Sequence, residues 1–131
     1  MTSTIRRGLR RLVGIRVDDV EAGAAIAHLT VTEDHLNGGG ILHGGAIAMM
    51  CDSAMGHAVG SLIHPEQSAS TATLNITFLN RADVGDDLIA TARVRKRGKR
   101  IVVAEASILR PSDETNIADA VATFGTRDRR R

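Results

Sequence analysis

One stretch of this chain changes its hydrophobic period, and that change limits the folds open to it. From about His43 to Leu62, the residues Ile47, Met50, Cys51, Ala54, Met55, Ala58, Val59 and Leu62 recur at three- and four-residue intervals. That spacing is one face of a helix. Gly60, Ser61 and Pro65 end it. On both sides of this segment the period is two. Ile15 and Val17 alternate with Arg16 and Asp18, and Ala25, Ala27, Leu29 and Val31 alternate with Ile26, His28 and Thr30. Beyond the helix, Leu74, Ile76 and Phe78 alternate with Thr71, Thr73, Asn75 and Thr77. Leu88, Ala90, Ala92 and Val94 alternate with Thr91, Arg93 and Arg95, and residues 101–109 and 117–124 complete the set. Short turns at 21–23, at 83–87 around Gly85, at Gly98 and Lys99, and at 111–114 separate these runs. Strands joined so closely pair antiparallel. The expected class is α+β: a two-strand lead, one long helix and a four-strand meander. A curved antiparallel sheet of about six strands wrapped around one central helix covers both apolar surfaces.

At 131 residues the chain reads as one domain over 1–131, with basic terminal segments at 1–11 and 127–131. Arg6, Arg7, Arg10 and Arg11 crowd one end, and Arg127, Arg129, Arg130 and Arg131 the other, although the formal net charge is only +2. Solvated tails are the simpler reading; attraction to a polyanionic ligand is the sharper one. With no Trp, no Tyr and only Phe78 and Phe124, the core is aliphatic. Nucleic acid is not an expected partner, because its single-strand readers stack bases on aromatic rings. A single cysteine, Cys51, excludes an internal disulfide and a multi-cysteine metal site, and fits a reducing compartment. No apolar run approaches a membrane span, so no membrane partner is expected. The first fifteen residues are Arg-rich, contain Ser and Thr and lack acids, a composition shared with transit peptides. We read them as a native N-terminal helix of a cytoplasmic protein.

Five of the thirteen glycines fall between positions 38 and 45, in a turn that runs straight into the helix. A glycine pair at a helix start leaves N–H groups unshielded, where the dipole favours negative charge. Asp52 lies off the apolar stripe, beside Gly45, Ala48 and Gly56 on the helical wheel. It is either an ordinary surface acid or a carboxylate with room for a ligand. From Gly45 to Asp52 is about 10 Å along a helix axis. One chain's helix N-terminus therefore cannot share a small reacting group with its own Asp52. Two antiparallel helices from two copies could, which predicts a composite dimer site.

Other constellations carry less. Gly38-Gly39-Gly40 lacks the Lys-Ser/Thr of a phosphate loop, and His28, His35, His43, His57 and His64 show no metal-ligand spacing. His43 reads as a general base or as a structural residue bonding the loop backbone. Cys51, on the apolar stripe, reads as a buried small residue. No Gly-x-Ser-x-Gly elbow exists.

Asn37, Gly40, His43-Gly44-Gly45 and Asp52 follow a spaced pattern: Asn, two residues, Gly, two residues, His-Gly-Gly, then an acid nine residues after the His. In this the chain resembles the hotdog-fold acyl-CoA thioesterases of the phenylacetate-pathway and 4-hydroxybenzoyl-CoA type. The strand 71–79 and the stretch 84–124 are similar too, and the resemblance covers roughly residues 12 to 126. Asn80-Arg81-Ala82 departs from it, since the family usually has proline before the alanine. The dehydratases of the same fold carry a His-Phe-Pro-Gly stretch that is missing here.

The resemblance implies hydrolysis of an acyl-CoA, with an aromatic or medium-chain acyl group, to free acid and CoA. Asp52 would be the catalytic carboxylate, as general base or as nucleophile, and the Gly44 amide would hold the developing oxyanion. Asn37 would help to place the water or acyl group, and Thr71 would bond the water or carboxylate. His43 and Gly45 would border the substrate. Asp52 and the Gly44 amide would come from different subunits, in a homodimer at least and by expectation a homotetramer. No metal or redox cofactor is implied, and CoA is part of the substrate. The basic hairpin with Arg93, Arg95, Lys96, Arg97, Lys99 and Arg100 is either solvated edge protection or, through Arg95 and Arg97, a contact for CoA phosphates. The competing function is a non-catalytic hotdog domain that binds acyl-CoA as a sensor or scaffold.

Overall fold

The computed structural model describes residues 8–129. A short helix α1 (Leu9–Val13) leads into strands β1 (Arg16–Glu21) and β2 (Ala24–Thr30). A one-turn 3-10 segment at Glu33–His35 and the glycine-rich turn then feed helix α2 (Gly44–Gly60). Strands β3 (Gln67–Phe78), β4 (Asp87–Arg97), β5 (Ile101–Arg110) and β6 (Thr115–Asp128) follow. Of the predicted N-terminal helix only α1 falls on described residues; Arg6, Arg7, Arg130 and Arg131 lie outside them.

The strands form one antiparallel sheet in the order β1-β2-β4-β5-β6-β3. The four-strand meander is therefore corrected: β4, β5 and β6 run as a meander, but β3 pairs with β6, and β4 pairs with β2. The reason lies in α2. The helix carries the chain across the sheet face and delivers β3 to the far edge, so β4 must return beside β2. Alternation within each strand cannot reveal that order.

One register row runs Ala25, Ala92, Ala106 and Ala120 across β2, β4, β5 and β6. All four are buried. This floor of methyl groups lets α2 lie close to the sheet, and the larger Met50 and Met55 of the helix fill the space above it. The helix touches all six strands. Its buried residues are Ile47, Met50, Cys51, Ala54, Met55, Ala58 and Val59, the predicted stripe without Leu62, which falls past the helix end.

Of the four register shifts in the sheet, those in β3 and β4 alter the faces that concern the site. In β3, Thr71 pairs with Phe124 and Thr73 with Thr123, so Ala72 is the extra residue. In β4, Val94 pairs with Ala104 and Lys96 with Val103, so Arg95 is the extra residue. A bulge shifts alternation by one residue. Thr71 consequently shares the helix-side face with buried Phe124, although simple alternation sets it opposite Leu74. Arg97 likewise pairs with buried Val102.

Candidate active site

The turn before α2 is built by Asn37. Its Oδ1 accepts from the Gly39 N–H at 2.8 Å and the Ile41 N–H at 3.2 Å. Gly40 closes the turn with φ 82°, a conformation that side chains disfavour. The Asn37 Nδ2 has no partner among the described residues, and Asn37 lines a cleft at the helix entrance.

His43 is the N-cap of α2, and its Nδ1 accepts from the Gly45 N–H at 2.7 Å. Its own N–H donates to the His35 carbonyl at 2.8 Å. His35 is itself fixed, with Nδ1 accepting from the Thr32 N–H at 3.0 Å and Nε2 donating to the Val13 carbonyl at 2.7 Å. Of the two readings of His43, the geometry supplies the loop-bonding one. Gly45 is tied to this cap, so the neighbouring Gly44 N–H is the amide left without a partner among the described residues. It stands at the helix N-terminus, where the dipole adds partial positive charge.

That amide borders a cleft of about 340 Å³ lined by Asn37, Ile41, Leu42, Gly44, Ile47 and the run Phe78-Leu79-Asn80-Arg81-Ala82. The ring of Phe78 lies against Gly44, 3.3 Å from where a Cβ would stand. Asn80-Arg81-Ala82, the stretch that departs from the family pattern, is a wall of this cleft. Ala82 also accepts from the Leu42 N–H at 2.9 Å, tying that wall to the helix entrance.

Asp52 stands two turns along the helix and does not line the cleft. The Thr71 hydroxyl donates to its Oδ1 at 2.6 Å. The bulge at Ala72 is what turns this hydroxyl towards the helix. The structure thus brings together Asn37, His43, Gly44 and Gly45 at one place and Asp52 with Thr71 at another, both along β3.

The basic hairpin is exposed. Arg95, the bulged residue, lies 3.5 Å from Glu105, whereas Arg97 has no ion pair among the described residues. Arg110 went unnoticed in the sequence. Its guanidinium grips both Asp113 oxygens at 3.0 and 2.9 Å, and its Nη1 donates to Asp86 at 3.0 Å and to the Arg81 carbonyl at 3.2 Å. The signal was an Arg and an Asp three residues apart around Pro111.

Cys51 is fully buried, and burial, followed by the nearby Asp119 and Asp52 charges, pushes its thiol up to about 12. It is not a nucleophile at neutral pH. Among the described residues no group of three or more His, Cys, Asp or Glu could hold a metal ion. No helix of the described residues is long and apolar enough to cross a membrane.

A single long helix against a six-stranded antiparallel sheet, with a free amide at its N-terminus, is the hotdog arrangement. The chain belongs to the Thioesterase superfamily, whose family model matches residues 39–117. Acyl-coenzyme A thioesterase PaaI of Escherichia coli is 32% identical over 105 residues, 80% of this chain and 73% of that protein. A solved structure of the E. coli PaaI protein, from the phenylacetic acid degradation operon, superposes with a TM-score of 0.81 at 29% identity, covering 88% of this chain and 81% of that one. Human acyl-coenzyme A thioesterase 13 is 32% identical over 108 residues, 80% of this chain and 75% of its own length. A thioesterase family protein from Silicibacter pomeroyi gives a TM-score of 0.86 at 28% identity, covering 94% and 91% of the two chains.

Proposed function

We propose that this chain hydrolyses acyl-CoA thioesters, with an aromatic or medium-chain acyl group, to free acid and CoA. The observation that carries this reading is the Thr71–Asp52 hydrogen bond beside an open sheet edge. Among the described residues strand β3 pairs with β6 alone, and Leu74 and Phe78 are exposed on its helix side, at 37% and 56%. Two β3 strands pairing antiparallel about a two-fold axis at Asn75 would set Thr73 of one copy opposite Thr77 of the other and, across the Ala72 bulge, Thr71 opposite Phe78. Thr71 holds Asp52, and Phe78 rests on Gly44. Asp52 would then face the partner's Gly44, completing a site that neither copy contains alone. The homodimer is the minimum unit.

In that site the Gly44 N–H polarises the thioester carbonyl and receives the oxyanion, a preorganised donor at a helix dipole. Asp52, oriented by Thr71, supplies the attack, by taking a proton from water or by adding to the carbonyl carbon itself. Label in Asp52 after single turnover in ¹⁸O-labelled water identifies the second route, with water opening the anhydride at the Asp52 carbon. Asn37 offers its free Nδ2 to the same cleft, and His43 and Gly45 hold the Gly44 amide in place. The chemistry calls for no metal or redox group. Arg95 and Arg97 are assigned to the CoA phosphates. Exposed Val20, Leu109 and Val121 on the sheet's outer face, around a trough of about 660 Å³, support a tetramer formed by pairing those faces. A cytoplasmic location fits the lone unpaired Cys51.

The test is thiol release from benzoyl-, phenylacetyl- and medium-chain acyl-CoA by the wild type and Asp52→Ala. Turnover lost in the variant supports the assignment, and equal rates reject it. No turnover on any thioester favours the acyl-CoA-binding domain instead.

A further inference from the structure

Every residue that lines the cleft at Gly44 is apolar or neutral except Arg81. Its backbone and its side chain are each bonded to neighbouring residues. Arg110 Nη1 donates to the Arg81 carbonyl at 3.2 Å and to Asp86 Oδ2 at 3.0 Å. The same Asp86 oxygen accepts from the Asp83 N–H at 2.8 Å. Asp83 in turn receives the Arg81 Nη2 at 2.7 Å. Arg110 thus anchors both the backbone of Arg81 and the residue that aims its guanidinium. A cation on a backbone fixed in this way loses less freedom on meeting an anion than one on a mobile loop. Its present partner gives way readily, because the Arg81–Asp83 pair is solvent-exposed, at 67% and 50%, and exposed pairs are weak.

The pantetheine arm separates a CoA thioester from its first phosphate by more than the width of so small a cleft. An anion that meets Arg81 while the thioester carbonyl sits at Gly44 therefore belongs to the acyl group and not to the carrier. Building on the thioesterase reading, we infer that Arg81 makes the enzyme selective for acyl groups that bear a carboxylate at the end away from the thioester. The apolar walls from Ile41, Ile47, Phe78 and Leu79 would take the methylenes between the two ends.

The experiment compares glutaryl-CoA with hexanoyl-CoA, and the pantetheine thioesters of the same acids, on wild type and Arg81→Gln. The expected wild-type ratio of kcat/KM, glutaryl over hexanoyl, is about tenfold or more for both carriers, falling to about one in Arg81→Gln. A wild-type ratio near one, or a preference that survives Arg81→Gln, overturns the proposal. So does a KM that rises in Arg81→Gln for both CoA esters but for neither pantetheine ester, since the cation would then read carrier phosphate. Activity on hexanoyl thioesters alone defeats this inference and leaves the thioesterase reading standing, while inactivity on every ester defeats both.

Discussion

The Thr71 hydroxyl reaches from the sheet edge to the Asp52 carboxylate at 2.6 Å, and it can do so only because Ala72 is an extra residue in β3. A carboxylate on a helix face gains a fixed orientation from that bond. It remains accessible, because neither residue is buried.

Loss of each partner should therefore differ in degree. Asp52→Asn removes the carboxylate to which we assign the attack and should lower kcat by roughly 10²- to 10⁴-fold. Thr71→Ala should lower kcat about tenfold with little change in KM, and Thr71→Ser, which keeps the donor, should stay close to wild type. Steady-state kinetics on one acyl-CoA checks all three.

The helix cap makes a separate prediction. A Cβ on Gly45 would stand 3.0 Å from His43 Nδ1, against the ring that accepts its N–H. Gly45→Ala and His43→Ala should each cost about 1 kcal/mol, the usual worth of an N-cap. Thermal unfolding should show both, with a fall in melting temperature of about 4 °C.

Cys51 should be silent. With its thiol held near 12 by burial, iodoacetamide at pH 8 should label the native protein negligibly and the urea-unfolded protein fully. Cys51→Ala should retain thioester hydrolysis. Rapid native labelling would show that this part of the helix opens.

The Arg110 clamp predicts an acid-sensitive step. Hydrogen bonds from Arg110, then from Thr115, hold the Asp113 carboxyl well below the usual carboxylate range. A folded-state value lowered in this way contributes stability that is complete above the unfolded value near 4 and is lost as pH falls below it. The difference in melting temperature between wild type and Asp113→Asn should be full at pH 7 and should narrow below about pH 4. A difference that persists unchanged to pH 2.5 would refute the linkage.

The helix was legible because seventeen residues of period 3.6 interrupt a chain of period two. The alternating runs likewise revealed each strand. Their order was hidden, since Ala122 beneath Leu74 and Ala92 beside Ala25 are meetings across long separations. The face of Thr71 was hidden for a different reason: a bulge inserts backbone and leaves no mark in side-chain type. At the site, the resemblance singled out Asn37, Gly44, Asp52 and Thr71, and spacing kept Gly44 and Asp52 apart. The Phe78–Ala82 wall and the Arg110 bonds to Arg81 and Asp86 join residues far apart in the chain, and only the Arg110–Asp113 pair left a local trace.

The central claim is that Asp52 and the Gly44 amide act across two copies of the chain, and subunit complementation tests it most directly. Gly44→Pro deletes the free N–H at the first helical position, where proline is tolerated, and His43 at φ −65°, ψ 136° already has the conformation a following proline requires. Asp52→Ala deletes the carboxylate. Each variant alone should be nearly inactive. Refolded together in equal amounts, they should recover about a quarter of the wild-type rate, because half the dimers are mixed and one of their two sites is intact. A mixture no more active than its parents, with mixed dimers verified by mass spectrometry, would contradict the composite site.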